Sequence, residues 1–351
     1  MQTAKIGIIG TGHISDIYLK NLNTVYPNTQ VVACADINLA AAQAKADKWS
    51  VPDVLDVDTL LSREDISIVV NLTPPQQHYT VIRQALLAGK HVYTEKPLAA
   101  STEQANALVA LAEEKGLLLC SAPETNYGAT VSTAKALLQE DAIGKILYAD
   151  ARFRWPGDEN WHPNPAFLYQ KGAGPLYDRG PYFLNVLVDL LGKVDSVFAM
   201  GAIGYPTRTV TSKPRFGEVF PVETFSHMQG MLRFSSGVLA STLFSFDLKC
   251  PYDSAIELFG TKGSMRINEP IGFGAPLELS IAGEDYQSVP LVNDRTDNIR
   301  GYAVSCMAAY LNGDTNEIPA PGSRARHLVE IMDKYMESAQ QGVLCPVDST
   351  P

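Results

Sequence analysis

Positive charge is scarce in this chain. Its 351 residues hold 28 lysines and arginines against 38 aspartates and glutamates, a formal net charge of -10. No basic run interrupts the sequence, which argues against nucleic acid or an anionic membrane surface as a partner. Long hydrophobic runs are also missing: no stretch approaches the roughly 20 apolar residues of a bilayer-spanning helix. Cysteine is sparse. Cys34, Cys120, Cys250, Cys306 and Cys345 are scattered, odd in number and form no CxxC pair. That excludes a disulfide framework and fits a reducing compartment, with thiols used as small buried hydrophobes. The six histidines stand at no metal-ligand spacing from one another or from the cysteines, so no metal site is expected. The first residues run straight into a strand-like segment, so no signal peptide is expected and the chain reads as cytoplasmic.

What is present is an ordinary globular composition, 46% hydrophobic and 19% charged. A chain of this length buries a sizeable core without staples and divides into two domains. The first third alternates strand-like and helix-like segments. Lys5–Ile9 is a short apolar run. His13–Leu22 carries Ile14, Ile17, Tyr18 and Leu22 at helical spacing. Gln30–Ala35 reads as a second strand, and Asn38 caps a helix over Leu39–Lys48. Ile66–Leu72 is rich in β-branched residues, as expected of a strand buried on both faces. Gln76–Ala88 reads as a helix stopped by Gly89, and Ser101-Thr102-Glu103-Gln104 matches a capping box. This rhythm predicts a doubly wound parallel sheet over residues 1–121.

After that the rhythm changes. Helical patches at Val131–Leu138 and Tyr182–Leu191 mix with extended segments at Lys145–Phe153, Ser196–Ile203, His227–Phe234, Gly237–Phe246 and Ala255–Phe259. Residues 122–351 therefore read as an α+β domain with a large, mostly antiparallel, open-faced sheet and a last helix near 323–340.

The chemistry starts at Gly10-Thr11-Gly12-His13-Ile14, which ends one strand and begins a helix. Gly10 allows the tight turn, Gly12 lets a pyrophosphate approach the backbone, and Ser15 is small enough to stand where a third glycine usually sits. The free N–H groups of the helix start then face the phosphates. Asp36 closes the second strand where a carboxylate binds ribose hydroxyls. Its charge repels a 2′-phosphate, and Ile37-Asn38 offers no arginine to attract one, so NAD is favoured over NADP. Thr73 and Pro74 leave the strand Ile66–Leu72 at its carboxyl end, where they border the nicotinamide ribose. His78 opens the next helix and reads either as a capping or surface residue or as a neighbour of the cofactor. Glu95-Lys96-Pro97 follows the strand-like run Lys90–Thr94.

In order and spacing these motifs, together with Ala88-Gly89-Lys90-His91-Val92, resemble the glucose–fructose oxidoreductase / inositol dehydrogenase / rhizopine catabolism (Gfo/Idh/MocA) family of NAD(P)-dependent oxidoreductases. The resemblance continues through Gly172–Tyr182, similar to the family's glycine-rich loop and helix start, and through Ile256–Gly263. One position departs: Tyr182 stands where the family commonly has a histidine, as in members resembling dimeric dihydrodiol dehydrogenase. The resemblance implies oxidation of a sugar, glycoside or cyclitol hydroxyl by hydride transfer to NAD(P). It places Glu95 and Lys96 at the cofactor and assigns Lys96, Asp178 and Tyr182 to catalysis. Tyr182 would be the general base, favoured as phenolate by the Lys96 ammonium. Lys96 would stabilise the developing alkoxide, or itself act as base, and Asp178 would orient Lys96 or a substrate hydroxyl. On the same helix Asp178, Tyr182, Asn185 and Asp189 share one stripe, whose bland reading is a solvated face.

The segment Arg152–Tyr169 reads as a substrate-facing loop. Trp161, His162 and Tyr169 offer aromatic faces beside polar groups, as a carbohydrate requires, or else form a packing cluster. His227 lies in a strand-like run and reads as structural. Two alternatives stay open: a redox glycosidase or lyase that oxidises transiently to eliminate a substituent, and a non-catalytic dinucleotide-binding regulator. The second-domain sheet needs cover on its apolar side, which suggests a homodimer or homotetramer formed through it.

Overall fold

The computed structural model describes residues 3–351. The chain divides into two compact units, residues 1–124 with 298–329 and residues 125–297 with 330–351. Each is described separately.

The first unit is built on a six-stranded parallel sheet. In chain order its elements are β1 (Ala4–Ile9), α1 (Ser15–Thr24), β2 (Thr29–Ala35), α2 (Leu39–Trp49), β3 (Asp53–Val54), α3 (Val57–Ser62), β4 (Ile68–Asn71), α4 (His78–Leu87), β5 (His91–Thr94), α5 (Thr102–Lys115) and β6 (Leu119–Ser121). The spatial order is β3-β2-β1-β4-β5-β6, so the strand order reverses between β1 and β4. Ligands bind at such a switch point in open α/β sheets. Both central strands are buried on two faces, with Ile6, Ile8, Ile68, Val69 and Val70 fully covered. This is why they read as apolar runs rather than alternating ones. Gly7 makes room for the layer above: a Cβ there would lie 2.7 Å from Leu60 Cδ2.

Local signals set the helix ends. The Asn38 side chain accepts the Ala41 N–H at 3.1 Å, and Ser101 Oγ accepts the Gln104 N–H. Such caps each contribute about 1 kcal/mol. Gly89 and Gly116 take positive φ after α4 and α5. The expected helix Gln76–Ala88 is a 3₁₀ turn, Pro75–Gln77, continuing into α4.

Residues 298–329 correct the expected division of the chain. They lie after residue 121 in sequence, yet they complete the first unit. Asn21 donates to the carbonyls of Asn298 and Arg300, Tyr26 to that of Ile299, and Asn28 to that of Ser305. The segment includes a helix, Tyr302–Leu311, that the sequence reading did not identify.

The second unit carries α6 (Ala129–Gln139), β7 (Ile146–Arg154), the turn of helix α7 (Pro175–Asp178), α8 (Gly180–Leu191), β8 (Val194–Ala202), the small hairpin β9 (Thr207–Thr209) and β10 (Val219–Pro221), β11 (His227–Phe234), β12 (Leu239–Ser245), β13 (Asp253–Gly260), β14 (Gly263–Asn268), β15 (Leu277–Ile281), β16 (Gln287–Val289) and β17 (Cys345–Pro346). Nine of these strands form one sheet, ordered β16-β15-β14-β13-β7-β12-β11-β8-β17. Every pair in it is antiparallel except β7 with β12. Burial alternates along β11, with Met228, Gly230, Leu232 and Phe234 inward. On its other face the sheet carries an ionic network. Arg152 contacts Asp150, Asp253 and Glu257 at 3.1–3.3 Å, and Arg266 donates to Glu257 at 2.5 Å. The expected loop from Arg152 therefore begins later, because Arg152 and Arg154 are strand residues. The last helix runs Gly322–Gln341, and the boundary between the units falls within it. No helix among the described residues is long and apolar enough to cross a membrane.

Candidate functional site

At the switch point of the first unit the chain leaves β1 through Gly10, whose φ of +97° suits glycine. A Cβ there would fall 2.6 Å from the Leu72 carbonyl carbon, so the turn is pressed against the end of β4. Gly12 is different: nothing lies within 4 Å of where its Cβ would point. It opens on a cavity of about 720 Å³ bounded by Gly10, Gly12, His13 and Ile14 on one side and by Asp36, Ile37, Thr73 and Pro74 on the others. Ser15 is buried and donates through Oγ to the Gly12 carbonyl at 2.7 Å. It thus closes the turn that a third glycine would leave open.

Asp36 organises this loop. Its Oδ2 accepts from Thr11 N at 2.7 Å and Thr11 Oγ1 at 3.0 Å, and its Oδ1 accepts from Asn38 N at 2.9 Å. Oδ1 therefore keeps a lone pair for a ribose hydroxyl, while both of those on Oδ2 are taken by Thr11. Ile37, next to it, is fully exposed at the cavity edge, an apolar surface suited to an adenine ring. These residues fit a dinucleotide on three counts: an open glycine, a shaped turn and a pre-oriented carboxylate.

Asn71 was not singled out from sequence. Its Oδ1 accepts from Thr73 N and Oγ1, and its Nδ2 donates to Thr94 Oγ1 at 3.0 Å. It therefore ties the two strand ends that carry Thr73 and Lys96. His78 is fully buried, which removes the surface reading. Nδ1 lies 2.6 Å from the Pro97 carbonyl and Nε2 2.8 Å from the Thr73 carbonyl. Its ring acts on the cavity through the loops it holds. Glu95 accepts the Lys96 N–H at 3.0 Å, Lys96 is half-buried, and the Lys96–Pro97 peptide is cis.

Two histidines of this unit give it a pH dependence. His91 Nδ1 accepts the Leu118 N–H at 2.9 Å, which requires an unprotonated nitrogen. Burial pushes the pKa of His91 below the usual imidazole value. Burial does the same at His78, against the pull of the Pro97 and Thr73 carbonyls. Unfolding frees both to bind protons below about pH 6.5. Their stabilisation is thus complete above that value and lost as pH falls through the depressed folded values. Thermal melts should show a falling midpoint between about pH 7 and about pH 5, with a shallower slope in His91→Gln. Equal slopes in the two proteins would contradict this assignment.

In the second unit Gly174, with φ of +99°, precedes the turn Pro175–Asp178, and Pro181 sits in the first turn of α8. Asp178 pairs with Arg179 Nε at 3.0 Å, and Arg179 Nη2 donates to Asp158 at 3.0 Å. Burial pulls the Arg179 pKa down, but the fields of Asp178, Asp158 and Tyr182 outweigh it and hold the guanidinium above its ordinary value. Tyr182 is buried near this cation. Asp158, itself buried, also accepts from Trp155 Nε1 at 2.8 Å and Trp161 Nε1 at 3.0 Å. Asp158 and Arg179 thus hold Trp161 and Asp178 on one framework, and sequence reasoning had singled out neither. The lower half of the polar stripe is structural: Asn185 donates to Asn126 at 3.1 Å, and Lys135 lies 3.3 Å from Asp189.

The expected aromatic loop divides in two. Trp161 is more than half exposed, and His162 packs on Trp161 and Phe167 while its Nδ1 accepts from Asn164 N. Tyr169 is no substrate-facing residue. It has no exposed surface and packs on Phe220, Phe246 and the buried Arg208. Arg208 in turn bonds Glu159, Asp247 and the Pro156 carbonyl, which pins the loop to the sheet. His227 bonds Ser245 Oγ at 2.9 Å, a structural role as expected. Among the described residues no cluster of histidine, cysteine or carboxylate groups is arranged to hold a metal ion.

Residues 4–122 match the GFO_IDH_MocA oxidoreductase family with its NAD-binding Rossmann fold, and residues 131–266 match the GFO/IDH/MocA C-terminal domain. The chain belongs to the GFO/IDH/MocA family. Among curated relatives, it is 29% identical over 268 residues to dTDP-3,4-didehydro-2,6-dideoxy-alpha-D-glucose 3-reductase of Streptomyces antibioticus, covering 75% of each chain. It is 26% identical over 294 residues to levoglucosan dehydrogenase of Pseudarthrobacter phenanthrenivorans, covering 76% of this chain and 74% of that one. With an uncharacterised oxidoreductase of Schizosaccharomyces pombe, C26H5.09c, it shares 31% identity over 57% of its own length and about half, 54%, of the relative's. The fold is that of levoglucosan dehydrogenase solved with NADH and L-sorbose, at a TM-score of 0.85, 21% identity and coverage of 99% and 100%. As a member of the GFO/IDH/MocA family the chain carries an NAD-binding Rossmann unit, and its sheet topology agrees.

Proposed function

We propose that this protein is an NAD-dependent dehydrogenase that reversibly oxidises a secondary alcohol of a sugar, glycoside or cyclitol. The observation that carries the reading is the cradle at the ends of β1 and β4, open at Gly12 and organised by Asp36, with Lys96 leaving the adjacent strand β5. Relatives named for sugar substrates support the substrate class. When bound, NAD supplies the hydride acceptor. The glycine loop and the start of α1 receive its phosphates, Asp36 its ribose hydroxyls, and Thr73 and Pro74 border the nicotinamide side.

In this reading Tyr182 takes the proton of the substrate hydroxyl. Lys96 donates a hydrogen bond to the reacting oxygen and stabilises alkoxide charge as the hydride leaves. Asp178, oriented by Arg179, accepts from a neighbouring hydroxyl, while Trp161 and His162 offer faces to the sugar ring. A panel of aldoses, inositols, methyl glycosides and anhydro-sugars, followed by NADH absorbance, tests the reading. No turnover with any class would sink it. The chain is also 30% identical over 278 residues to 2,7-anhydro-N-acetylneuraminate hydratase of Mediterraneibacter gnavus. Product formed from a glycoside with no net NADH would therefore shift the reading to a redox lyase.

The open sheet face supports self-association. Beside the ionic network it exposes Phe198, Met200, Met231 and Leu239, with Phe198 and Met231 paired across β8 and β11. Such an exposed apolar patch suits a second copy of the chain. Light scattering should find a dimer or tetramer, and Met231→Glu should dissociate it. A monomeric wild type would remove the basis for this expectation.

A further inference from the structure

The catalytic reading makes no use of Glu124. Glu124 is almost wholly enclosed in the first unit, where an uncompensated charge is costly. Its partners are all donors. Oε1 accepts from Tyr93 Oη at 2.5 Å and from Gly301 N at 3.0 Å, and Oε2 accepts from Ala303 N at 3.0 Å. Gly301 and Ala303 are the N-terminal turn of the helix Tyr302–Leu311, whose free N–H groups and dipole suit an acceptor there.

Beyond Tyr93 the link is packing: its one hydroxyl proton goes to Glu124 and that of Tyr18 to Glu95, so the two hydroxyls, 3.3 Å apart, meet as neighbours, with the rings 6.0 Å apart. Tyr18 Oη donates to Glu95 Oε1 at 2.8 Å. Glu95 Oε2 accepts the backbone N–H of Lys96 at 3.0 Å. Both tyrosines are fully buried, and burial, then the neighbouring carboxylates, push their phenol pKa values well above normal, so they stay neutral donors. Burial pushes Glu124 up as well, opposed by Tyr93, by the Ala303 and Gly301 amides and by Arg300.

We propose that Glu124, Tyr93 and Tyr18 are positioning residues: they run from a helix N-terminus to the Glu95 carboxylate and through it fix the backbone that presents Lys96. This rests on the reading that Lys96 touches the reacting oxygen. A chain end left to solvent would let that strand exit wander, and misplacement by about 1 Å costs on the order of a hundredfold in rate. One buried carboxylate, two buried phenols and the half-buried Glu95 carboxylate hold it to one geometry.

Hydrogen exchange of the Lys96 amide tests the proposal without a substrate. Tyr18→Phe deletes the donor to Glu95, and Glu124→Gln spoils the other end. Each should speed exchange at Lys96 about tenfold, the effect of losing one hydrogen bond, while amides of β4 keep wild-type rates. Turnover of the best sugar in the panel should fall by about tenfold or more with NADH affinity unchanged. The double variant should cost no more than the worse single, because both act through one chain. An unchanged Lys96 amide in folded Tyr18→Phe overturns the proposal, as do additive losses or faster exchange with full turnover. If Glu124→Gln does not fold, Tyr93→Phe replaces it. Full turnover in Lys96→Ala would instead overturn the catalytic reading and leave the exchange result standing.

Discussion

Lys96→Ala should lower turnover by roughly two to four orders of magnitude, the range for a group acting directly on a transferred proton or developing charge. Tyr182→Phe should lose a similar amount. NADH fluorescence titration should report near-normal affinity in both variants, since the phosphate and ribose contacts come from the glycine loop and Asp36. Losses confined to KM would mean that both residues merely bind substrate. Unchanged turnover in both would remove them from the chemistry altogether.

The cofactor variants should give the second large effect. Asp36→Ala combined with Ile37→Arg is expected to reverse a preference for NAD, changing the NADP to NAD ratio of kcat/KM by about a hundredfold or more. Removing a like charge from beside a 2′-phosphate and adding a bidentate cation each contribute on the order of 1–3 kcal/mol. The single Asp36→Ala should be poorer with both cofactors, because Asp36 also holds Thr11 and Asn38 in place. An NAD preference that survives the double change would show that selectivity resides elsewhere on the loop.

The sequence was most readable where the physics is local. Gly10, Gly12 and Asp36 could be assigned because a turn, an approach and a strand end lie within one unit of the chain. The strand His227–Phe234 was legible to the residue because its inward and outward positions alternate. The helix Tyr302–Leu311 was missed for the opposite reason. It is apolar nearly all round and starts at Gly301 with no side-chain cap, so it shows neither stripe nor start signal. Tyr169 misled because an aromatic residue among prolines and acids looks exposed. Its burial depends on Arg208 and Phe246, far along the chain. Glu124 carried no signal at all, since its amide partners are 177 and 179 residues away. Asp158 was likewise silent until folding brought Arg179 to it.

The return of residues 298–329 to the first unit bears on how the protein is made. On the ribosome the six parallel strands emerge early, but the bonds that Asn21, Tyr26, Asn28 and Glu124 make to residues 298–305 form only after the second unit's sheet has been synthesised. Domains usually fold as they emerge. Here the nucleotide-binding half must wait, unfinished, while the sheet-bearing half is translated through the middle of it. A fragment ending at Glu124 would therefore be a strand scaffold without its closing clasp. Premature termination anywhere before the last helix should yield a chain for chaperones and proteases rather than a stable domain.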